Sequence, residues 1–122
     1  MASRKKDRKA IRLKRIERER LLDEQTITYN QIKNLIKSYP TDGASYLEHM
    51  LKSEISRYGE RNVYQALSEA PYEAISYAEN IVFYEEDSDK IHRALAEFAD
   101  MITGLIPDEE KAKSLGEIMD KL

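Results

Sequence analysis

The sequence predicts an all-α protein, a compact bundle of about five helices with a long basic N-terminal helix or arm. Apolar residues recur at steps of three and four along the chain, which is the period of an amphipathic helix. Most of the four glycines and three prolines fall where such helices would end, and no segment has the alternation of a strand. A chain of 122 residues has room for one domain with a modest core.

Start signals define the first two helices after the arm. Thr28 with Gln31 has the spacing of a capping box, and this helix should stop before Pro40 in the turn sequence "PTDG". Ser45 with Glu48 repeats that spacing and is expected to open the second helix. The apolar stripes contain Ile32, Leu35, Ile36 and Tyr39 in the first helix and Leu47, Met50, Leu51, Ile55 and Tyr58 in the second.

Glycines, prolines and a serine mark the remaining helices. Gly59 is expected as the C-terminal cap of the second helix, and a short helix over residues 63–67 follows it. Pro71 stands at a first-turn position, and Ser88 can cap the next helix, which Gly104 should end. Pro107 and three acidic residues start the last helix, because anions there offset the positive end of the helix dipole.

Charge is divided unevenly between the two ends of the chain. The first twenty residues contain ten Lys and Arg against three acids, a net charge of +7. The whole chain carries −3, so residues 21–122 carry −10. We therefore divide the chain into a basic N-terminal arm, residues 1–24, and an acidic helical domain, residues 25–122.

The arm is predicted to contact nucleic acid or a ribonucleoprotein. In a helix, Arg4, Arg8, Arg12 and Arg15 would share one side, with too few apolar neighbours to form a core-facing stripe. Phosphates would relieve the repulsion among these charges and release condensed counterions. No aromatic residue precedes Tyr29, so we expect phosphate contacts without sequence-specific reading. The candidate nucleic-acid-binding residues are Arg4, Lys5, Arg8, Lys9, Arg12, Lys14, Arg15 and Arg18.

Other interpretations of the arm stay open. It could be a solvated helical face, an extension that aids solubility, or a helix that pairs with an acidic one. A helix lying on a membrane surface is disfavoured, because the apolar side of the segment is poor.

The domain carries a stretch without positive charge. Between Arg61 and Lys90 no Lys or Arg occurs. This surface could imitate a phosphate backbone in the groove of a nucleic-acid enzyme, or receive the arm of a second copy in a homo-oligomer. An ordinary acidic surface is the simpler interpretation. The candidate partner-binding residues are Glu69, Glu73, Glu79, Glu85, Glu86, Asp87 and Asp89.

Tyrosine is over-represented among the aromatic residues. Eight tyrosines stand against two phenylalanines and no tryptophan, and all eight lie after residue 28. Most fall at the edges of apolar stripes, where a ring can be buried while its hydroxyl stays in water. Interfaces favour tyrosine, although packing at the edge of a core explains the same positions.

Catalytic chemistry is not indicated. The chain has no cysteine, and its two histidines, His49 and His92, lack the spacing of metal ligands. No phosphate-binding glycine loop, nucleophile elbow or paired-acid motif occurs. We therefore expect a protein that is not an enzyme and needs no metal or cofactor.

No apolar run is long enough for a membrane span, so a cytoplasmic location in a bacterial host cell is expected.

The layout resembles that of accessory proteins of bacteriophages and prophages. It is similar to some anti-CRISPR inhibitors of Cas9 that carry an Arg-rich N-terminal arm. The resemblance rests on "RKKDRKAIRLKRIERER" and on the acid-only stretch 62–89. It implies that the arm engages guide RNA or target DNA, or that the acidic helices block the groove where DNA enters, with Cas9 and its guide RNA as the partner. The alternative function is a protein–protein interaction module, a homodimer or a binder of a basic host protein, acting through the acidic helices.

Overall fold

The computed structural model describes residues 25–84 and 86–121, and within them every regular element is a helix. Helix α1 covers residues 25–38. The others are α2 (Asp42–Tyr58), α3 (Glu60–Glu69), α4 (Pro71–Phe83), α5 (Ser88–Leu105) and α6 (Asp108–Lys121). The predicted all-α fold is confirmed, with six helices in the described residues. The predicted basic arm, residues 1–24, and Glu85 lie outside the described residues.

Helix α2 lies at the centre of the bundle and packs against α3, α4, α5 and α6. Leu47 and Leu51 on its inner side are fully buried, as are Phe98 and Ile102 of α5. Helix α1 adds Tyr29 and Ile32 to this core, and the Tyr29 ring contacts that of Tyr64 in α3 at a tilt of 42°, with ring centroids 4.6 Å apart. The remaining buried apolar residues are Ile32, Ala44, Val63, Ala66, Leu67, Ala74, Ala78, Ile81, Val82, Ile91 and Ile106.

Two helix boundaries follow the predicted chemistry. Gly59 caps α2 with a φ of 87°, and its N–H donates to the Ile55 carbonyl at 2.8 Å. Only glycine adopts such a φ without strain, so the chain turns there into α3. Pro71 stands at the first turn of α4, where its missing N–H costs nothing.

Both predicted capping boxes are wrong. Thr28 lies inside α1, which is already helical at residue 25, and its side chain is buried. Ser45 lies in the second turn of α2, because Thr41 is the N-cap residue. The Thr41 hydroxyl accepts a hydrogen bond from the Ala44 N–H at 3.1 Å and donates one to the Val82 carbonyl at 2.9 Å. The first bond caps α2, and the second ties the start of α2 to the end of α4.

Helix α5 begins and ends close to the predicted residues. Its N-cap is Asp87 rather than Ser88, and the carboxylate of Asp87 accepts from the Lys90 N–H at 3.2 Å. The helix continues through Gly104 to Leu105, with Ile106 as C-cap. Asp108 opens α6 as predicted. Among the described helices, none is both long and apolar enough to cross a lipid bilayer.

Candidate functional site

The predicted nucleic-acid-binding residues, Arg4 through Arg18, lie outside the described residues. The predicted acidic surface, in contrast, is described at every position except Glu85. Most of this surface belongs to α4, and the spacing of apolar residues in α4 determines which side of the helix is buried. Ala74, Ala78 and Ile81 follow one another at steps of four and three, and all three are fully buried.

The opposite side of α4 is exposed and carries aromatic rings between carboxylates. Tyr72, Glu79 and Phe83 stand at steps of seven and four, so they lie along one line of the helix. The side chain of Tyr72 is 90% exposed and that of Phe83 is 57% exposed. Glu73 borders this line. We call the set Tyr72, Glu73, Ser76, Glu79 and Phe83 the α4 face.

The loop before α2 extends the α4 face. The Tyr39 ring packs edge-on against Phe83 with centroids 5.1 Å apart, and Tyr39 is itself 46% exposed. Tyr84 follows Phe83 in the chain and lies beneath the Lys90 ammonium, which is 5.6 Å from the ring centroid. Phe83 and Tyr84 line a shallow cavity of about 290 Å³ together with Glu86 and Asp87.

The carboxylates of this surface differ in their partners. Asp87 caps α5 and forms an ion pair with Lys90 at 3.9 Å, so one of the predicted partner-binding residues has a structural role. Among the described residues, no ion pair reaches Glu69, Glu73, Glu79, Glu86 or Asp89. Every ion pair of the described residues links two side chains of one helix or its cap. Within the part of the chain that the structure describes, most carboxylates of the acid-only stretch therefore have no paired cation.

The structure also brings together three lysines that the sequence alone does not connect. Lys33 and Lys37 of α1 and Lys52 of α2 line a cleft of about 120 Å³. From the sequence alone, only the nearness of Lys33 and Lys37 can be predicted, because they are one helical turn apart. Placing Lys52 beside them requires the packing of α1 on α2. The cleft is completed by Tyr29, Ile36, Glu48 and Leu51.

The histidines are not arranged as ligands. The Nδ1 atom of His92 lies 2.6 Å from the Ser88 carbonyl oxygen, and its ring packs against Tyr46 with centroids 5.1 Å apart. His49 is exposed on α2. Within the described residues, no three His, Asp or Glu side chains come close enough together to hold a metal ion.

Glu54 is the one acidic or basic side chain that is buried among the described residues. Glu54 of α2 faces α5, where the Thr103 hydroxyl donates to its carboxylate at 3.5 Å. Removal from water raises the pKa of the Glu54 carboxyl above its ordinary value of 4.5, and Asp100 adds to this rise. Arg57, 3.9 Å away, and the Thr103 hydroxyl act in the opposite direction. This carboxylate joins two core helices and lies apart from the α4 face.

Comparison of the chain with protein-family models, with curated proteins and with solved structures found no match in any of the three.

Proposed function

We propose that this chain is a non-enzymatic binding protein of phage type that engages a nucleic acid or a ribonucleoprotein through its basic arm. Inhibition of a host nuclease such as CRISPR-Cas9 is the activity that fits this mode of binding. The observation that carries the proposal is the separation of charge: ten cations in the first twenty residues, against no Lys or Arg from 62 to 89.

The acidic domain directs where a polyanion binds. The exposed and unmatched carboxylates of α4 repel phosphate, so a nucleic acid is kept to the arm and its surroundings. Each phosphate that the arm neutralises releases counterions, which makes log affinity fall by about 0.9 per phosphate for each decade of salt on duplex DNA. Lys and Arg contacts to phosphate give affinity for RNA and DNA alike without reading sequence.

The arm is tested by removing four of its charges. The variant Arg8→Ala, Arg12→Ala, Arg15→Ala and Arg18→Ala should lose binding to labelled RNA and DNA, measured by fluorescence anisotropy at several salt concentrations. Its control removes the same charge from exposed side chains of the domain, with Arg61, Lys90, Arg93 and Lys113 each changed to alanine. Unchanged affinity and salt dependence in the arm variant would overturn the proposal. A DNA-cleavage assay with Cas9 and its guide RNA tests the inhibitory activity separately.

A second candidate function is a protein–protein interaction module that acts through the α4 face. Its support is the contact between two exposed rings, Phe83 and Tyr39, together with the 90% exposure of Tyr72 at the other end of α4. Large apolar side chains grouped on a surface are typical of interaction sites. The partner would be a second copy of the chain or a basic host protein. Deletion of residues 1–20 separates the two functions: nucleic-acid binding is lost, whereas association through the α4 face is retained.

A further inference from the structure

The cleft between α1 and α2 gathers three lysines of the described residues around one cavity. Lys33, Lys37 and Lys52 line it, and Glu48 is the only carboxylate among its lining residues. Residues 21–89 contain only two other cations, Arg57 and Arg61. Positive charge is therefore concentrated at this cleft, in a part of the chain that is otherwise acidic.

The three ammonium groups differ in how they are held. The Lys33 ammonium lies over the buried ring of Tyr29, 5.2 Å from its centroid, and the electrons of the ring attract it. Lys52 pairs with Glu48 at 3.2 Å, but both side chains are more than half exposed, so the pair contributes little and a second anion can compete for Lys52. Lys37 has no ion pair within the described part of the chain.

The cleft is partly open to solvent and has a volume of about 120 Å³. One water molecule needs about 10–15 Å³ on the same measure, so a compact anion such as a phosphate group, four oxygens around one phosphorus, can enter it. Lysine ammonium groups bind phosphate as compact point charges.

We propose that Lys33, Lys37 and Lys52 form a phosphate-binding site, which takes a backbone phosphate of the nucleic acid held by the arm. This inference rests on the proposed function for the source of the phosphate. Chain length supports that source: Arg20 precedes Gln25 by five residues, which span at most about 18 Å. Lys33 lies about 12 Å further along α1. A duplex of about ten base pairs is long enough to reach both, at about 3.4 Å per base pair.

The site is tested by changing the three lysines to glutamine in the full chain. Binding of a labelled 20-base-pair DNA duplex is measured at several salt concentrations. We expect the slope of log affinity against log salt to become shallower by about 0.9 for each phosphate that the variant no longer neutralises. The matched control changes the same three lysines to arginine, which keeps the charge and should keep the slope. Thermal unfolding of both variants should match that of the parent chain, since all three side chains are exposed.

The same binding measurements distinguish an error in the cleft proposal from an error in the proposed function of the arm. If the glutamine variant keeps the parent slope while the arm variant loses binding, the cleft proposal is overturned and the proposed function stands. If the glutamine variant loses slope while the arm variant still binds, the lysines bind backbone phosphate without the arm, and the proposed function is overturned.

A titration with inorganic phosphate, followed by NMR of the lysine signals, distinguishes a free phosphate ion from a nucleic-acid backbone. Among the lysines after residue 24, shifts confined to Lys33, Lys37 and Lys52 support a phosphate site. Such shifts with an unchanged salt slope for the duplex would overturn the nucleic-acid source. Absence of shifts at these lysines with both phosphate and the duplex would overturn the site itself.

Discussion

Gly43 lies against the main-chain carbonyl group of Ile81, so closely that a methyl group added at Gly43 would overlap the carbonyl oxygen. This contact joins the first turn of α2 to the last turn of α4. The Thr41 hydroxyl bonds to the Val82 carbonyl beside it. Phe83 is the next residue, so the same contact region fixes one end of the α4 face.

Gly43→Ala should destabilise the domain, because the added methyl group forces α2 and α4 apart. Overpacking of this kind costs about 1–3 kcal/mol of stability. This exceeds the gain of up to about 1 kcal/mol from the higher helix propensity of alanine. Urea denaturation followed by circular dichroism measures the change. Gly104→Ala is the matched control, since no atom lies within 4 Å of the added methyl group. It should gain up to about 1 kcal/mol, and equal loss in both variants would contradict the close contact at Gly43.

Thr41→Ala should also destabilise the domain, since it removes the N-cap of α2 and leaves the Val82 carbonyl without its donor. Loss of a threonine cap costs about 1–2 kcal/mol. Thr41→Ser keeps the hydroxyl and should restore most of the stability in the same denaturation experiment. If serine and alanine are equally destabilising, the methyl group rather than the two hydrogen bonds is responsible.

Local sequence predicts those helix boundaries that depend on one residue. The predictions at Gly59 and Pro71 are correct because a positive φ and a missing N–H act wherever these residues stand. The capping boxes at Thr28 and Ser45 are wrong because the same spacing also occurs inside helices. The true cap, Thr41, is fixed partly by its bond to Val82, which lies 41 residues away in the sequence.

The candidate surfaces are predictable to different degrees. The acid-only stretch is visible as a run of residue types, and most of its carboxylates are exposed where the structure describes them. The tyrosines cannot be sorted from the sequence: Tyr29 is 8% exposed and Tyr72 is 90% exposed, although both lie in helices with apolar stripes. Their difference, like the meeting of Lys33 with Lys52, arises from the packing of helices on one another.

Glu54 should make stability depend on pH in a mildly acidic range. Burial raises the pKa of its carboxyl in the folded chain, so just above pH 4.5 the folded chain binds more protons than the unfolded chain. The free energy of unfolding therefore contains a contribution that falls as pH rises from about 4.5 through the raised pKa. Glu54→Gln removes this contribution and keeps an acceptor for the Thr103 hydroxyl.

Urea denaturation at a series of pH values measures the Glu54 effect. The difference in stability between Glu54→Gln and the parent chain should move in favour of glutamine as pH rises through this window. Glu48→Gln, on the exposed side of the same helix, serves as the control and should give a smaller pH-dependent difference. A difference independent of pH would show that the Glu54 pKa is the same in both states.

The α4 face should act in association and not in folding. Tyr72 is 90% exposed, so changing it to alanine should alter the free energy of unfolding by less than about 0.5 kcal/mol. Changing Phe83 to alanine also removes its ring contact with Tyr39, which should cost about 0.5–1.5 kcal/mol. If the face joins two copies of the chain and both aromatic residues are interface hot spots, each should contribute about 2 kcal/mol, so the double variant should weaken the dimer by about three orders of magnitude. Sedimentation equilibrium at two salt concentrations measures this dimer.

Tyr46→Ala, which removes an exposed tyrosine of α2, is the control and should leave association unchanged. A parent chain that stays monomeric at high concentration would exclude the homodimer and leave a basic host protein as the partner of this face.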